Sequence, residues 1–198
     1  SSKMWGTKFE KIDPNTINRV KIVLSYEHNY FPEEKYQGLP IGGYTKMISN
    51  MLNHSNIKVI LNQNALDLFK FDDKILFKNQ EIDCPLVYCG SLDEALNYKY
   101  GMLPYRSLDI HFESVNKTNF QKAAVINFPS VPKMTRITEY KLMTFQKKEN
   151  TTTISKEFPG QFDLTSQQFN KRYYPIINKD NLNLYKKYFS YFYKYNNF

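Results

Sequence analysis

The sequence is poor in the residues that mark most catalytic and structural chemistries. Its three histidines, His28, His54 and His111, share no metal-ligand spacing, no HExxH is present, and no serine sits in a nucleophile elbow. No metal site is therefore expected. The two cysteines, Cys84 and Cys89, lie in the apolar run CPLVYC, which reads as a strand. Five positions apart, they would point to opposite faces of that strand, which argues against an internal disulfide or a shared metal and fits a reducing, cytoplasmic setting. None of the seven glycines falls in GxGxxG or GxxxxGK[ST], so the chain holds neither a dinucleotide fingerprint nor a Walker loop. No stretch approaches the roughly 18 apolar residues of a membrane span, and no basic-then-apolar leader opens the chain. A membrane partner is not expected. The carboxylate pairs Glu33–Glu34 and Asp72–Asp73 sit in polar contexts and read as solvated turns instead of an acid and base pair.

What is present is a globular composition with 16 tyrosines, 15 phenylalanines and a net charge of +8. The lysines are scattered instead of blocked, so most of that charge reads as solvated surface. Against this lysine background only four arginines occur: Arg19, Arg106, Arg136 and Arg172. A guanidinium fork matches two phosphate oxygens at once, whereas lysine acts as a point charge, so sparse arginines are diphosphate candidates. A structural ion pair is an equal reading for Arg106 and Arg136. Tyr30, Tyr173 and Tyr174 flank prolines in loops, where a phenol bonds phosphate or simply packs.

The densest local signal is Tyr26–Lys46, YEHNYFPEEKYQGLPIGGYTK. Pro32 and Pro40 interrupt helix, and Gly38 and Gly42–Gly43 permit backbone that a Cβ forbids, so this is a shaped loop. It delivers the chain into an amphipathic helix over Tyr44–His54, where Tyr44, Met47, Ile48, Met51 and Leu52 recur at helical spacing. Either an anion sits on the free N–H groups there, or the segment is a plain loop-to-helix turn.

In order, Asp13 as N-cap with Pro14 at the first position predicts a helix leading to Arg19. The runs 57–62, 74–79 and 85–90 read as a hairpin and a further strand, and SLDEALNYKYG as a helical turn ending at Gly101. RSLDIHFESV, KAAVINFP, TRITEYKLMTF and NTTTISKEFP read as four sequential strands of an antiparallel sheet. The last segment predicts a helix capped by Asp180 or Asn181. The fold class is α+β: a small helical part over 1–56, a mostly antiparallel sheet over 57–178 and a C-terminal helix over 179–198. With Ser1 in place of an initiator Met, and Phe198 closing a helical pattern, the chain reads as a piece of a longer protein.

The run NYF…KYQGLPIGGYTKMI closely resembles the corresponding segment of UDP-galactopyranose mutases, flavoenzymes that interconvert the pyranose and furanose forms of UDP-galactose. Four further motifs in the family's order extend the resemblance over nearly the whole chain. WGT at Trp5–Thr7, with Pro14 and Arg19, resembles the family segment in which the tryptophan lies at the uridine site and the arginine rides a mobile loop. VYCGSLDEALNYKYGMLPYRSL resembles a segment that places Arg106 by the active site and the turn of Tyr88 and Gly90 near the flavin. VINFPSVPKMTRITEYK matches Arg136 to the arginine that grips the diphosphate and Asn127 to an asparagine close by. NYF and KRYYPI match Tyr30 and Tyr174 to phosphate-binding tyrosines. Departures exist: Cys89–Gly90–Ser91 stands for TGP, Met134 for a tyrosine, and Lys171–Arg172 for a more acidic lead-in.

The family's GxGxxG unit and its later flavin-contacting segment are not in these residues. The resemblance thus implies the substrate-binding portion of an FAD-dependent isomerase, inactive alone, with a flavin-binding domain of the same parent protein as partner and a homodimer of that parent possible. Reduced FAD would act as nucleophile while the residues here place the leaving UDP. Two rival readings are a noncatalytic UDP-sugar-binding module and a basic nucleic-acid-binding domain whose tyrosines stack on bases.

Overall fold

In chain order the helices and strands begin with α1 (Ser2–Trp5), a 3-10 turn (Phe9–Lys11), α2 (Pro14–Ile17), α3 (Gly43–Leu52) and α4 (Ala65–Leu68). There follow β1 (Phe69–Phe71), β2 (Ile75–Phe77), β3 (Gln80–Glu81), α5 (Leu92–Ala95), β4 (Tyr105–Val115) and β5 (Val125–Asn127). The chain closes with β6 (Arg136–Glu139), α6 (Tyr140–Thr144), β7 (Thr152–Gln161), β8 (Tyr174–Pro175) and α7 (Lys179–Phe192). This computed structural model describes residues 2–17, 24, 26 and 31–195. The fold is α+β, and all strand pairings are antiparallel. Contacts group the chain into two units, one of Ser1–His54 with Tyr105–Pro175, the other of Ser55–Pro104 with Ile176–Phe198. Each unit thus joins stretches that the division 1–56, 57–178 and 179–198 assigns to different parts.

The first unit is built on a five-stranded sheet in the order β5-β6-β7-β4-β8. Its spine is the long pairing of β4 with β7, from Arg106 opposite Gln161 to Val115 opposite Thr152. Leu108, Ile137, Ile154 and Phe162 are buried there. Four alternating runs were expected, and four of the five strands are those runs. TRITEYKLMTF, however, is strand only over β6. The chain then turns into α6, which ends with Phe145 at φ 53°. Lys141 accounts for the change: its ammonium donates to the carbonyls of Thr118 (2.6 Å), Thr151 (3.0 Å) and Lys148, which holds the chain in a coil that a strand could not follow. Asp13 accepts from the Asn15 N–H at 2.8 Å, so the helix start at Pro14 stands as expected. Helix α3 starts at Gly43, and none of its residues is buried.

The second unit pairs a three-stranded sheet, β1-β2-β3, with α7. Phe71, Ile75, Phe192 and Tyr195 form its core, with Phe71 edge-on to Phe192 at 5.2 Å and to Tyr88 at 5.7 Å. Two expected strands are absent. Residues 57–62 and 85–90 have no strand partner among the described residues, Asn62 has φ 56°, and Val59 to Leu61 are exposed. β-Branched and aromatic content signals fitness for a pleated surface and produces a strand only where a neighbour supplies the ladder. The partner of β2 is instead FKF, with Phe69 opposite Phe77. The cap of α7 is also moved: Asn178, not Asp180 or Asn181, accepts from the Asn181 N–H at 2.8 Å. Its extended φ of −156° aims the side chain at the open helix end, whereas Asp180 already lies inside the helix.

Candidate functional site

Helix α1 is one turn long and is fixed from two sides. Gly6 closes it with φ 64°, its N–H donating to Ser2 O at 2.8 Å. Arg106, reaching from β4, donates from Nε to Met4 O at 2.9 Å and from Nη1 to Gln161 Oε1 at 3.3 Å. The guanidinium lies so close to Gly6 that a Cβ there would fall 2.7 Å from Nη1. Arg106 is 7% exposed, and burial lowers its pKa below the ordinary arginine value. Arg106 thus acts in this geometry on the backbone that carries Trp5.

The other side of the site is the hairpin of β5 and β6. Asn127 stands opposite Arg136, and the Phe128 N–H donates to Thr135 O at 2.8 Å. The loop 128–134 is gathered by one ammonium: Lys3 Nζ donates to the carbonyls of Phe128 (2.6 Å), Val131 (2.7 Å) and Met134 (2.5 Å), with Pro129 O at 3.4 Å. At the far edge of the sheet Tyr174 of β8 is paired opposite Arg106. Its ring lies 6.0 Å from Trp5 and 4.7 Å from Tyr173.

These elements enclose a cavity of about 720 Å³ whose wall includes Trp5, Asn127, Arg136 and Tyr174, together with Thr16 and Thr135. That volume suits a ligand of nucleotide size. A hollow of about 850 Å³, bounded by Ser2 and residues 6–11, contains none of the four and is a shallow surface groove. Arg136 has Nε 3.3 Å from Glu157 Oε2, its partner across β6 and β7, with side chains 29% and 12% exposed. The contact is an ion pair without hydrogen-bond geometry at Nε. Burial pushes the Glu157 carboxyl above the ordinary value, and the Arg136 charge offsets this only in part. Burial likewise raises the Tyr173 phenol. The wall, which also includes Ser2, therefore offers an indole face, an amide, three hydroxyls, a phenol and a partly exposed guanidinium: a surface for a flat ring joined to an anion.

The remaining sequence-derived candidates fall elsewhere. Arg19 and Tyr30 lie outside the described residues. Tyr88 and Gly90 belong to the second unit, where the Tyr88 phenol folds over Gly90 and a Cβ on that glycine would meet its oxygen at 2.3 Å. Arg172 stacks over Tyr105 at 5.2 Å and Phe162 at 4.9 Å. At the turn into α3, Gly42 and Gly43 have φ 85° and 84°, and the Gly43 N–H is already given to Pro40 O at 2.9 Å, the geometry of a loop-to-helix turn. Among the described residues no group of three or more His, Cys, Asp or Glu could hold a metal ion, and no helix is long and apolar enough to cross a membrane. Sequence reasoning missed Lys3, Thr16, Thr135 and Glu157. Lys3, two residues before the tryptophan on α1, carried no signal in the sequence, and Glu157 is set opposite Arg136 only by the register of β6 with β7.

The family model described as UDP-galactopyranose mutase matches residues 1–198. A UDP-galactopyranose mutase of Mycoplasma genitalium is 43% identical over 189 residues, covering 95% of this chain and 47% of that protein. A protein of the same description from Mycoplasma pneumoniae is 41% identical over 189 residues, again 95% and 47%. A dTDP-fucopyranose mutase of Escherichia coli is 29% identical over 188 residues, covering 94% of this chain and 47% of that protein. The chain spans about half the length of the curated relatives it matches.

Proposed function

We propose, from the premise that this chain belongs to the UDP-galactopyranose mutase family, that it forms the nucleotide-sugar-binding portion of an isomerase converting UDP-galactopyranose to UDP-galactofuranose. The observation that carries the reading is the single cavity in which Trp5, Asn127, Arg136 and Tyr174, drawn from three distant stretches of sequence, share one wall. In this reading Trp5 packs on the uridine, Arg136 and Tyr174 bond the diphosphate, and Asn127 lies beside them. The diphosphate roles that the resemblance implies for Arg19 and Tyr30 fall on positions outside the described residues. Arg106 holds the backbone behind Trp5.

The chemistry asked of these residues is placement. Charge accumulates on the diphosphate as it leaves the sugar, and a cation already in position stabilises it without reorganisation. Reduced FAD, when bound to the whole protein, supplies the nucleophile that this chemistry requires. In this reading Tyr88 and Gly90 lie beside the flavin, and the main flavin-binding segments lie elsewhere, since these residues include no glycine-rich phosphate loop. The flavin and the domain that binds it are assigned to the rest of the protein, which in this reading works in the cytoplasm and as a possible homodimer.

Calorimetric titration of UDP into the protein, with the quenching of its one tryptophan as a second readout, tests the assignment. Unaltered protein binds, and Arg136→Ala weakens binding by about 10- to 100-fold, the loss of charge-assisted hydrogen bonds. Equal affinity in a folded Arg136→Ala protein would overturn it. The E. coli relative is named for a dTDP-fucose substrate, so titration of dTDP beside UDP reads the base preference of the same site.

A further inference from the structure

We infer that Lys3 is a positioning residue for nucleotide diphosphate binding, setting the separation between the tryptophan side and the arginine side of the cavity; the inference rests on the functional reading above. Lys3 stands on α1, two residues before Trp5. Its Nζ reaches the carbonyls of Phe128, Val131 and Met134 at 2.6, 2.7 and 2.5 Å. An ammonium has three N–H donors, and these three short bonds use them all. Lys3 therefore has no donor left for a phosphate, although it stands in the cavity wall. Its charge is spent on the protein's own backbone.

The geometry of that backbone gives the role its content. The three carbonyls belong to the two legs and the tip of one loop. Phe128 directly follows Asn127, and Met134 lies two residues before Arg136. Carbonyl oxygens that converge on one point repel one another unless a cation sits between them. Without it the loop would open, and its two ends are the strand positions that carry Asn127 and Arg136. Among the described residues, the backbone bond that closes this loop beside it is Phe128 N–H to Thr135 O at 2.8 Å. Because the lysine stem starts on α1, one side chain both shapes the loop and ties it to the helix that presents Trp5.

The test is UDP titration on the full protein, unaltered and as Lys3→Met, with amide hydrogen exchange over residues 128–134 measured in parallel. Lys3→Met keeps the unbranched stem and removes the charge. The expected result is faster exchange over 128–134 and UDP affinity lower by about tenfold, equivalent to about 1.4 kcal/mol. Weakened UDP binding with unchanged exchange would mean that Lys3 touches the diphosphate directly, and would overturn the inference. Unchanged UDP affinity would overturn it whatever the exchange. If unaltered protein fails to bind UDP, the functional reading falls and takes the inference with it, an outcome the first titration separates from the others. Should Lys3→Met fail to fold, Lys3→Gln, which removes the charge and leaves two N–H donors on a shorter stem, is read by the same criteria.

Discussion

Replacing Glu139 tests how the cavity-bearing unit is held together. Its side chain is completely buried yet ionised in character. The carboxylate accepts from the Phe120 N–H at 3.0 and 3.1 Å, the Gln121 N–H at 2.9 Å and the Thr152 hydroxyl at 2.8 Å. Burial alone would raise its pKa, but these bonds and the field of Lys141 outweigh it and hold the carboxyl below the ordinary value. Glu139→Gln keeps the shape and one acceptor oxygen. Hydrogen bonds to a charged group contribute about 1 kcal/mol more than neutral ones. Three donors thus lose about 3 kcal/mol, offset by the relief of not burying a charge, for a net cost of about 2 kcal/mol. Glu139→Ala leaves all three donors without an acceptor, at about 4 kcal/mol. Urea unfolding followed by Trp5 fluorescence reads this unit specifically, because Trp5 is the one tryptophan and lies within it. A carboxyl lowered by folding contributes stability that is present above its unfolded pKa of about 4.3 and is lost as pH falls through the folded value. The gap between unaltered protein and Glu139→Gln should therefore be full at pH 7 and close below about pH 4. A Gln variant as stable as the parent at pH 7, or a gap that does not change with pH, would refute the reasoning.

Glu157 should show the opposite slope. Burial raises its pKa, so its contribution is present below about pH 4.3 and is lost as pH rises through its folded value; Glu157→Gln should gain on the parent with rising pH in thermal melts. Gly6→Ala should cost about 2 kcal/mol, because it combines a left-handed φ with a Cβ 2.7 Å from Arg106 Nη1. Its Trp5 emission should shift as α1 is displaced, and unchanged unfolding and emission would contradict the packing described here.

What could be read from sequence was whatever is decided locally. Asp13 before Pro14 starts a helix because a cap needs only its own turn, and β4 and β7 are legible because their runs alternate apolar and polar residues in sequence over ten residues or more. Residues 57–62 and 85–90 have the same composition as strands, but their state depends on a neighbour that periodicity does not report. FKF escaped notice because three residues show almost no period. The site divides along the same line. Trp5, Asn127, Arg136 and Tyr174 stand in recognisable motifs, whereas Glu157 meets Arg136 only through the register of β6 with β7, and Lys3 meets its three carbonyls only once positions 125 or more apart in sequence have been brought together.

The commitments of the arginines bear on how a +8 chain could select one anion site. Exposed lysine charges are screened beyond about 8 Å at physiological salt and cannot by themselves localise a ligand. Arg106 is buried, with Nε committed to Met4 O and Nη1 to Gln161, and Arg172 lies against two aromatic rings. Arg136 differs from both. Glu157 holds it by an ion pair that leaves its Nε without a hydrogen bond, and nearly a third of its side chain remains exposed in the cavity. A guanidinium that is oriented but not saturated is suited to a diphosphate, because binding adds hydrogen bonds without first breaking a good one. Arg136→Lys should on this argument weaken UDP binding almost as much as Arg136→Ala, since a point charge keeps the sign but loses the fork; UDP affinity retained within about twofold in the lysine variant would show that charge alone, and not the orientation imposed by β6 and Glu157, makes the site.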